Sequence, residues 1–391
     1  MKSTSRRAVA PASLAVQVLA VAIISRLGLA FLAWFSLRVF PRLDTYPAQL
    51  PDSFLPNHRM LDSWARWDAA HYVAIAGGGY GGDNPSPHGG VGFFPLFPLL
   101  MRGAVEVVGL SPTPAHLAMA GIVIANLCFL GVVPLAARLA AVRCGPAVGR
   151  DAALLLCVAP FGFFLNAAYS ESLFLLLTLG AFLAADRGRW AVAGALAGLA
   201  SGTRLVGLAL LPALLLLAVR QRASGRDRFL LGALAPAGTL AYFAYTWWRF
   251  GSPLAYFDAQ ATWGGWEEHV RFYAELFALH PRSALTGDPR HLIILLNLAT
   301  GIVYLALLPK LRRTVDPGVA LFTALLVVVQ FLFTWVSLGR YLLPAIGVYG
   351  AAAALLTQPR WSGWPRDAVL VGSTLLLALL TMLYGHGFWV V

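Results

Sequence analysis

The side chains of this 391-residue chain that are best suited to chemistry lie in one short stretch, residues 64–72, with the sequence WARWDAAHY. The stretch follows the first hydrophobic run of membrane length, and charge near hydrocarbon is costly unless it is paired or used. Asp68 is a carboxylate that can take a proton from a hydroxyl group, and His71 comes three residues after it. The sequence therefore predicts a reaction centre around Asp68 and His71. Neighbouring candidates for a substrate cavity are Arg66, Trp67 and Tyr72.

The stretch is predicted to form a helix over residues 63–76, with Asp62 or Ser63 as its N-cap. One face of that helix carries Asp68, His71, Tyr72 and Ile75. The tryptophans form a neighbouring stripe that suits an interfacial helix on the bilayer surface. A proline-interrupted apolar segment, residues 92–100, predicts a second membrane-surface or re-entrant element. An alternative is that Asp68 only caps the helix or pairs with Arg66, while the tryptophans anchor it at the interface.

Further polar groups are predicted at the outer ends of three pairs of helices. They are Asn166, Tyr169, Ser170 and Glu171; Ser201, Gly202, Thr203 and Arg204; and Gly339, Arg340 and Tyr341. A carboxylate base beside arginines suits attack on a lipid-linked phosphate donor, because the cations can hold the leaving phosphate. For Arg204 and for Arg340, a structural role as a snorkelling or Glu-paired arginine is an equal alternative. Glu171 is expected to be a structural partner of one arginine rather than a second catalytic acid.

The composition places this chemistry in a membrane. Hydrophobic residues make up 59% of the chain and charged residues 12%, whereas a soluble domain is about half apolar and a quarter charged. Apolar runs of membrane-spanning length recur throughout, and they predict an all-α polytopic protein of about eleven transmembrane helices. We expect one integral domain, residues 1–391. The predicted spans are residues 13–37, 114–140, 151–167, 171–185, 190–202, 205–219, 229–250, 291–308, 319–336, 342–356 and 368–384.

The formal charge of +12 is interpreted as a sign of topology rather than of nucleic-acid binding. Most arginines and lysines fall in short loops on one side, as the positive-inside rule expects for cytoplasmic loops. This distribution puts the N-terminus in the cytoplasm and two long loops, residues 40–113 and 251–290, outside. We expect a multi-pass protein of the plasma membrane with an extracytoplasmic active site.

No metal or cofactor is predicted. The three cysteines, Cys128, Cys144 and Cys157, lie in or beside predicted helices without a Cys-x-x-Cys spacing, which argues against a disulfide framework and a structural zinc site. The glycine run at residues 77–82 lacks the lysine of a phosphate-binding loop, so nucleotide binding is not expected.

Five segments carry a recognisable pattern in this order: residues 67–72 (WDAAHY), 93–100 (FFPLFPLL), 168–174 (AYSESLF), 202–204 (GTR) and 340–344 (RYLLP). Together they resemble the PIG-V family of mannosyltransferases. The resemblance implies a GT-C type glycosyltransferase, a multi-helical membrane enzyme with an extracytoplasmic active site and a polyprenyl-phosphate sugar as donor. The preference for Arg over Lys, with abundant Ala and Gly, indicates a bacterial relative.

By this resemblance, Asp68 is the catalytic base with His71 beside it. Arg204 and Arg340 become candidate ligands of the donor phosphate. The cavity is expected to be lined by Arg66, Trp67, Tyr72, Asn166, Tyr169, Glu171 and Tyr341. Related GT-C families often carry an acidic pair in this loop, but here Ala69 follows Asp68, so a metal bridged by paired carboxylates is not expected.

The predicted reaction is a single-step inverting transfer of a hexose, with mannose expected, from a polyprenyl-phosphate sugar to an acceptor hydroxyl. The acceptor is a glycolipid, a glycan or a protein, and membrane lipid surrounds the enzyme. The sequence supplies no convincing second carboxylate for a retaining route. The alternative is a non-enzymatic transporter or flippase of a lipid-linked sugar or phospholipid, although we find no matching broken helices in two halves of the chain.

Overall fold

The computed structural model describes residues 12–40, 53–81, 84, 87–262, 274, 289–333, 337–388 and 390. All regular elements in these residues are helices, which confirms the all-α prediction. In chain order they are α1 (Ala12–Val39), α2 (Arg59–Asp62), α3 (Asp68–Gly78), α4 (Leu96–Val107), α5 (Pro114–Cys144), α6 (Pro146–Cys157), α7 (Glu171–Asp186), α8 (Trp190–Ser201), α9 (Leu210–Arg220), α10 (Gly225–Leu234), α11 (Ala237–Phe250), α12 (Ala255–Ala261), α13 (Pro289–Thr314), α14 (Pro317–Phe333), α15 (Leu338–Leu342), α16 (Ile346–Leu356) and α17 (Trp364–Gly385). Most of the predicted outer loop 251–290 lies outside the described residues.

Several helices have the length and apolar character needed to cross a bilayer, so the protein is an integral membrane protein. Five segments of the described chain meet both criteria: Ser13–Val39, Pro114–Cys144, Gly225–Phe250, Leu292–Thr314 and Trp364–Gly385. Four shorter apolar helices accompany them: Trp190–Ser201, Leu205–Arg220, Pro317–Phe333 and Ile346–Leu356. Five of the predicted spans therefore coincide with segments long enough to cross alone, and five more coincide with shorter helices.

One predicted span, residues 151–167, differs from the structure. Helix α6 ends at Cys157, and a 3-10 turn, Gly162–Leu165, follows it. Pro160 explains the break, because proline lacks an amide hydrogen and disfavours helical geometry in the residue before it. The chain between α6 and α7 is consequently an irregular buried segment that leads directly into Tyr169, Ser170 and Glu171.

Residues 63–76, in the predicted first outer loop, also differ from the prediction. The expected helix over residues 63–76 is wrong: α2 ends at Asp62, and α3 begins only at Asp68. Trp67 breaks the helix with φ of 53°, a left-handed value that is uncommon outside glycine. Tertiary hydrogen bonds hold this break, because Tyr169 Oη donates to the Arg66 carbonyl oxygen at 3.0 Å and the Asp68 amide donates to Tyr169 Oη at 3.2 Å.

The two tryptophans of this loop lie in the protein core rather than on the bilayer surface. Trp64 and Trp67 are both buried, so the interfacial stripe predicted for them is wrong. The carbonyl oxygen of Trp64 accepts a hydrogen bond from the Ala168 amide at 2.9 Å. The loop is thus bonded to the segment before α7.

Glycines allow the helices that carry the site to approach closely. A Cβ atom at Gly238 of α11 would lie 2.1 Å from the Gly198 carbonyl oxygen of α8 and 2.4 Å from the Gly202 nitrogen. The carbonyl of Gly202 in turn accepts from the Leu96 amide at 3.1 Å, at the start of α4. Helix α4, longer than the predicted element at residues 92–100, is therefore attached to the turn that precedes Arg204.

Candidate active site

Four charged side chains from separate parts of the chain meet in one network. Arg340 Nη1 lies 2.5 Å from Asp68 Oδ2, and Arg340 Nε lies 2.5 Å from Glu171 Oε1. Arg204 Nη1 lies 2.6 Å from the same Glu171 oxygen. Two carboxylates and two guanidinium groups thus form a chain of ion pairs with no net charge. The structure brings together the predicted base, both predicted phosphate ligands and Glu171.

The folding of the chain explains where the carboxylates lie. Asp68 is the first residue of α3, and Glu171 is the first residue of α7. The unpaired amides and the positive dipole end of a helix stabilise negative charge in its first turn. Both acids therefore occupy positions that favour the ionised form.

The arginines come from segments that follow helices or connect them. Arg204 follows α8 and precedes the 3-10 turn Leu205–Ala209, while Arg340 lies in the short helix α15. The neighbouring Gly339 packs against the Phe161 ring, where an added Cβ would lie 2.2 Å from a ring carbon. Its amide donates to Asn297 Oδ1 at 2.7 Å. These contacts fix the backbone from which the Arg340 side chain extends.

Arg340 is the more enclosed of the two arginines. Its side chain is 3% exposed, and its guanidinium carbon lies 4.4 Å from the centre of the Tyr169 ring. The rings of Phe164 and Tyr341 lie 5.3 and 5.4 Å away. Cation–π contacts of this kind stabilise a positive charge that has left water.

Arg204 is more open. Its side chain is 12% exposed, and Nη1 also lies 3.4 Å from Ser170 Oγ. The Tyr341 ring lies 5.0 Å from its guanidinium carbon. Ser170 Oγ and Tyr72 Oη are 2.9 Å apart, so the predicted cavity residues Tyr72 and Tyr341 both border this cation.

Asp68 is the network's most accessible member, with its side chain 21% exposed. Burial is the largest influence on the pKa of Asp68 and would raise it, but the neighbouring positive charges, of which Arg340 is the largest, and the Arg340 hydrogen bond together outweigh burial and hold the pKa below its usual range. The carboxylate is therefore ionised at neutral pH. A partly exposed proton acceptor in this state is suited to receive the proton of a hydroxyl group.

His71 lies one helical turn after Asp68 and is buried. Its ring centre lies 4.7 Å from that of Phe93. Burial lowers the pKa of His71, against the opposing pull of Asp68, so the imidazole is neutral at neutral pH. His71 is thus placed to orient neighbours rather than to add charge.

Two predicted cavity residues bond to partners other than the four charged groups. Arg66 Nη2 lies 2.6 Å from Asp62 Oδ2, so the expected alternative of an Asp68–Arg66 pair is wrong. Asn166 accepts through Oδ1 from Arg26 and through its carbonyl from Asn126 Nδ2 at 3.0 Å. Both residues support the backbone around the site.

Some residues around the site were missed by the sequence analysis. Tyr384, near the end of α17, donates to the Arg66 carbonyl oxygen at 3.3 Å and packs against Phe164 at a ring distance of 5.7 Å. Arg26 lies in the middle of α1 and donates to the Cys157 carbonyl at 3.1 Å, where α6 ends. A charged residue inside an apolar helix was the available signal for Arg26, whereas nothing in the local sequence distinguishes Tyr384.

Within the described residues, no three His, Cys, Asp or Glu side chains are grouped so that they could hold a metal ion. The three cysteines are free thiols. The arginine side chains carry positive charge at the site, and such groups bind carboxylate and phosphate oxygens through charge-assisted hydrogen bonds.

Comparison with known proteins gives a family and several relatives. Residues 20–221 match the family described as Mannosyltransferase (PIG-V), a region that contains Asp68, Glu171 and Arg204. A mouse protein, GPI alpha-1,6-mannosyltransferase 2, is 36% identical over 155 residues, which cover 38% of this chain and 30% of the mouse protein. The human protein of the same name is 34% identical over 171 residues, which cover 41% of this chain and 33% of the human protein. The matched segment thus spans about a third of the length of these relatives.

Two solved structures are also similar to this chain. A crystal structure of the Archaeoglobus fulgidus oligosaccharyltransferase tethered with an acceptor peptide has a TM-score of 0.44 and 13% identity, covering 95% of this chain and 55% of that one. A second structure of that archaeal enzyme, with an inhibitory peptide and a dolichol-phosphate, has a TM-score of 0.44 and 15% identity, covering 95% and 56%.

Proposed function

We propose, from the premise that the chain belongs to the Mannosyltransferase (PIG-V) family, that it transfers a hexose from a polyprenyl-phosphate sugar to an acceptor hydroxyl. Mannose is the sugar we propose, because it is the sugar in the family's description and in the names of the mouse and human relatives. The acceptor is a glycolipid, a glycan or a protein. The observation that carries the proposal is the partly open Asp68 carboxylate, joined through Arg340 and Glu171 to Arg204.

In the proposed reaction, Asp68 accepts the proton of the acceptor hydroxyl while that oxygen attacks the anomeric carbon of the sugar. The bond from the anomeric carbon to the phosphate oxygen breaks, and its electron pair leaves with the polyprenyl phosphate. Arginine at the site balances the charge on the departing phosphate. The acceptor gains the sugar, and Asp68 keeps the proton.

The stereochemistry we propose is inversion. A retaining reaction needs a carboxylate that attacks the sugar directly, and Glu171 is the second carboxylate of the network. Its side chain is 0% exposed and it is bound by both arginines. This confinement supports a single displacement with Asp68 as the base.

The proposed donor and product are tested with purified protein and radiolabelled polyprenyl-phosphate mannose in the presence of a membrane extract. Identification of a labelled product, absent with Asp68→Asn, is the expected result. A parallel assay follows movement of the same lipid across the bilayer of protein-containing liposomes. Movement of the lipid without transfer of its sugar would contradict the proposed enzyme and support a transporter.

We further propose that the active site faces away from the cytoplasm, in the plasma membrane, with the N-terminus inside. The distribution of arginines among the short loops supports this orientation. It is tested with a cysteine placed at Ser86, outside the described residues, after replacement of Cys128, Cys144 and Cys157. Reaction with an impermeant thiol reagent in intact cells is expected, and reaction only after lysis would reverse the orientation.

A further inference from the structure

We propose that the two arginines of the network have different tasks: Arg340 is a positioning residue for Asp68, and Arg204 is the ligand of the donor phosphate. The inference rests on the proposed function, because it divides the work of that same site. It also replaces the symmetrical assignment of both arginines as candidate phosphate ligands, which the family resemblance implies.

The first argument is the number of carboxylates that each arginine binds. Arg340 bridges Asp68 and Glu171 through two different nitrogens, each at 2.5 Å. Arg204 contacts one carboxylate, Glu171, at 2.6 Å. In the described part of the chain its nitrogens make one other polar contact, with Ser170 Oγ at 3.4 Å. Arg204 therefore has more unengaged donor capacity.

The second argument is the consequence of moving each arginine toward a phosphate. Glu171 is bound by both cations, so it keeps one of them if Arg204 turns away. Asp68 has Arg340 as its only ion-pair partner among the described residues. Removing one partner of an enclosed pair leaves an uncompensated charge and is strongly unfavourable. Only Arg204 can turn to a ligand without leaving a carboxylate unpaired.

The third argument is access. The Arg340 side chain is a quarter as exposed as that of Arg204, at 3% against 12%. The Tyr169 ring covers one face of its guanidinium group at 4.4 Å. A lipid-linked phosphate approaching from outside the network meets Arg204 with less displacement of protein atoms.

Arg340 also determines the charge state of the base. The titratable groups around Asp68 are Arg340, His71 on its own helix, Arg204, Glu171, Tyr341, and Tyr169, whose hydroxyl accepts from the Asp68 amide. Among the charges that oppose the effect of burial on the pKa of Asp68, Arg340 comes first. Without Arg340, the pKa of Asp68 should rise, and the carboxylate should lose its fixed orientation.

The experiment compares Arg340→Gln, Arg204→Gln and a matched control, Arg366→Gln. Arg366 contacts both Asp151 oxygens, at 2.7 and 2.9 Å, in a separate pair of α6 and α17. Two measurements do not require turnover. Difference infrared spectra against the same protein carrying Asp68→Asn follow protonation of Asp68 with pH. Binding of a short-chain polyprenyl phosphate is measured directly in detergent.

Arg340→Gln should raise the pH at which Asp68 protonates, and with it the pH at which kcat/KM falls on the acid side. Its affinity for polyprenyl phosphate should change by less than about threefold. Arg204→Gln should weaken that affinity by about 10- to 100-fold and shift the Asp68 titration less. Arg366→Gln should change neither quantity.

Equal weakening of phosphate binding by Arg340→Gln and Arg204→Gln, with no shift in the Asp68 titration, would overturn the division of tasks. If Arg340→Gln fails to fold, Arg340→Lys replaces it: the charge should keep Asp68 ionised, while kcat falls because lysine cannot bridge both acids. A wild-type protein that binds no polyprenyl phosphate overturns the assignment of Arg204. A wild-type protein that transfers no sugar contradicts the proposed function, while the infrared titration still decides the role of Arg340.

Discussion

The network around Asp68 and the cluster around Asp151 are both arginine–carboxylate assemblies, but they are built in opposite ways. At the first, the arginine is enclosed and the acid is the more open partner, with Arg340 3% and Asp68 21% exposed. At the second, the acid is enclosed and the arginine extends outward, with Asp151 4% and Arg366 22% exposed. An enclosed acid can join helices, whereas a partly exposed acid can also receive a proton.

Helix α17 connects these two regions. Arg366, at its start, contacts Asp151 of α6, and Tyr384, near its end, donates to the Arg66 carbonyl beside Asp68. The two residues are eighteen positions apart, which corresponds to about 27 Å of helix at 1.5 Å per residue. The same helix is thus attached to a structural ion pair at one end and to the support of the candidate active site at the other.

Replacing the open acid should have the largest effect on activity. Asp68→Asn keeps nearly the same shape, yet its amide cannot take the acceptor proton. We expect normal production and a monodisperse species in detergent, with transfer at under about 1% of the wild-type rate, because base catalysis is typically worth 10² to 10⁴-fold. The measurement is labelled sugar transfer per mole of folded protein. Retention of more than about half of the activity would reject Asp68 as the base.

Neutralising the enclosed acid of the same network should strengthen phosphate binding. Glu171→Gln removes the negative charge that Arg204 faces, so this cation becomes more available to a phosphate. We expect polyprenyl phosphate to bind about 3- to 10-fold more tightly, with slower turnover because the charged product leaves more slowly. Glu106→Gln is the matched control, because Glu106 pairs with Arg102 at 2.8 Å on an exposed surface. Weaker binding in Glu171→Gln would show that Glu171 acts mainly by orienting the arginines.

The comparison also shows which parts of the molecule could be predicted from sequence. Apolar runs of membrane length revealed the helical membrane architecture, because hydrocarbon thickness sets helix length. Counting the predicted spans put four residues at the same predicted side of the membrane, which is why they were expected to converge: Asp68, Glu171, Arg204 and Arg340. The start of α3 did not, since Trp67 takes its left-handed conformation where Tyr169 bonds to the backbone on both sides of it. Hydrogen bonds between residues this far apart in the chain produce no recognisable pattern in the sequence around Trp67.

The ion-pair partner of Arg66 was equally beyond the sequence, although the pairing of Glu171 with arginine was predicted. Arg66 stands two residues before Asp68, which made a local pair plausible, but its guanidinium turns to Asp62. The Asp62 carboxylate also accepts from the amides of Phe54 and Leu55, at 2.8 and 3.0 Å. An acid already held by two backbone amides presents a fixed charge to arginine. That arrangement depends on a turn that composition and periodicity do not specify.

Replacing His71 should lower activity much less than replacing Asp68. His71→Phe keeps an aromatic ring against Phe93, 4.7 Å from the present ring centre, but removes both ring nitrogens. We expect kcat to fall by about 3- to 10-fold, less than the loss of a base. The imidazole is already neutral at neutral pH. The pH profile of kcat/KM in the variant should therefore still fall at low pH, as in the wild type. It should differ from the wild-type profile by no inflection near the ordinary histidine pKa of about 6.5. Disappearance of such an inflection in the variant would assign a charged role to His71.

Replacing the enclosed acid of the distant cluster should affect stability and spare chemistry. Asp151→Asn weakens a pair in which Arg366 approaches both carboxylate oxygens, at 2.7 and 2.9 Å. A hydrogen bond to a charged group is worth about 1.5 to 3 kcal/mol, and part of it survives because Asn still accepts one bond. We therefore expect thermal unfolding a few degrees lower, with transfer within about twofold of wild type at a temperature where both proteins are folded. If activity instead fell as far as in Asp68→Asn, then α17 would transmit the state of this pair to Tyr384 and the site. In that case exposure of the acid would no longer distinguish the reacting carboxylate from the structural one.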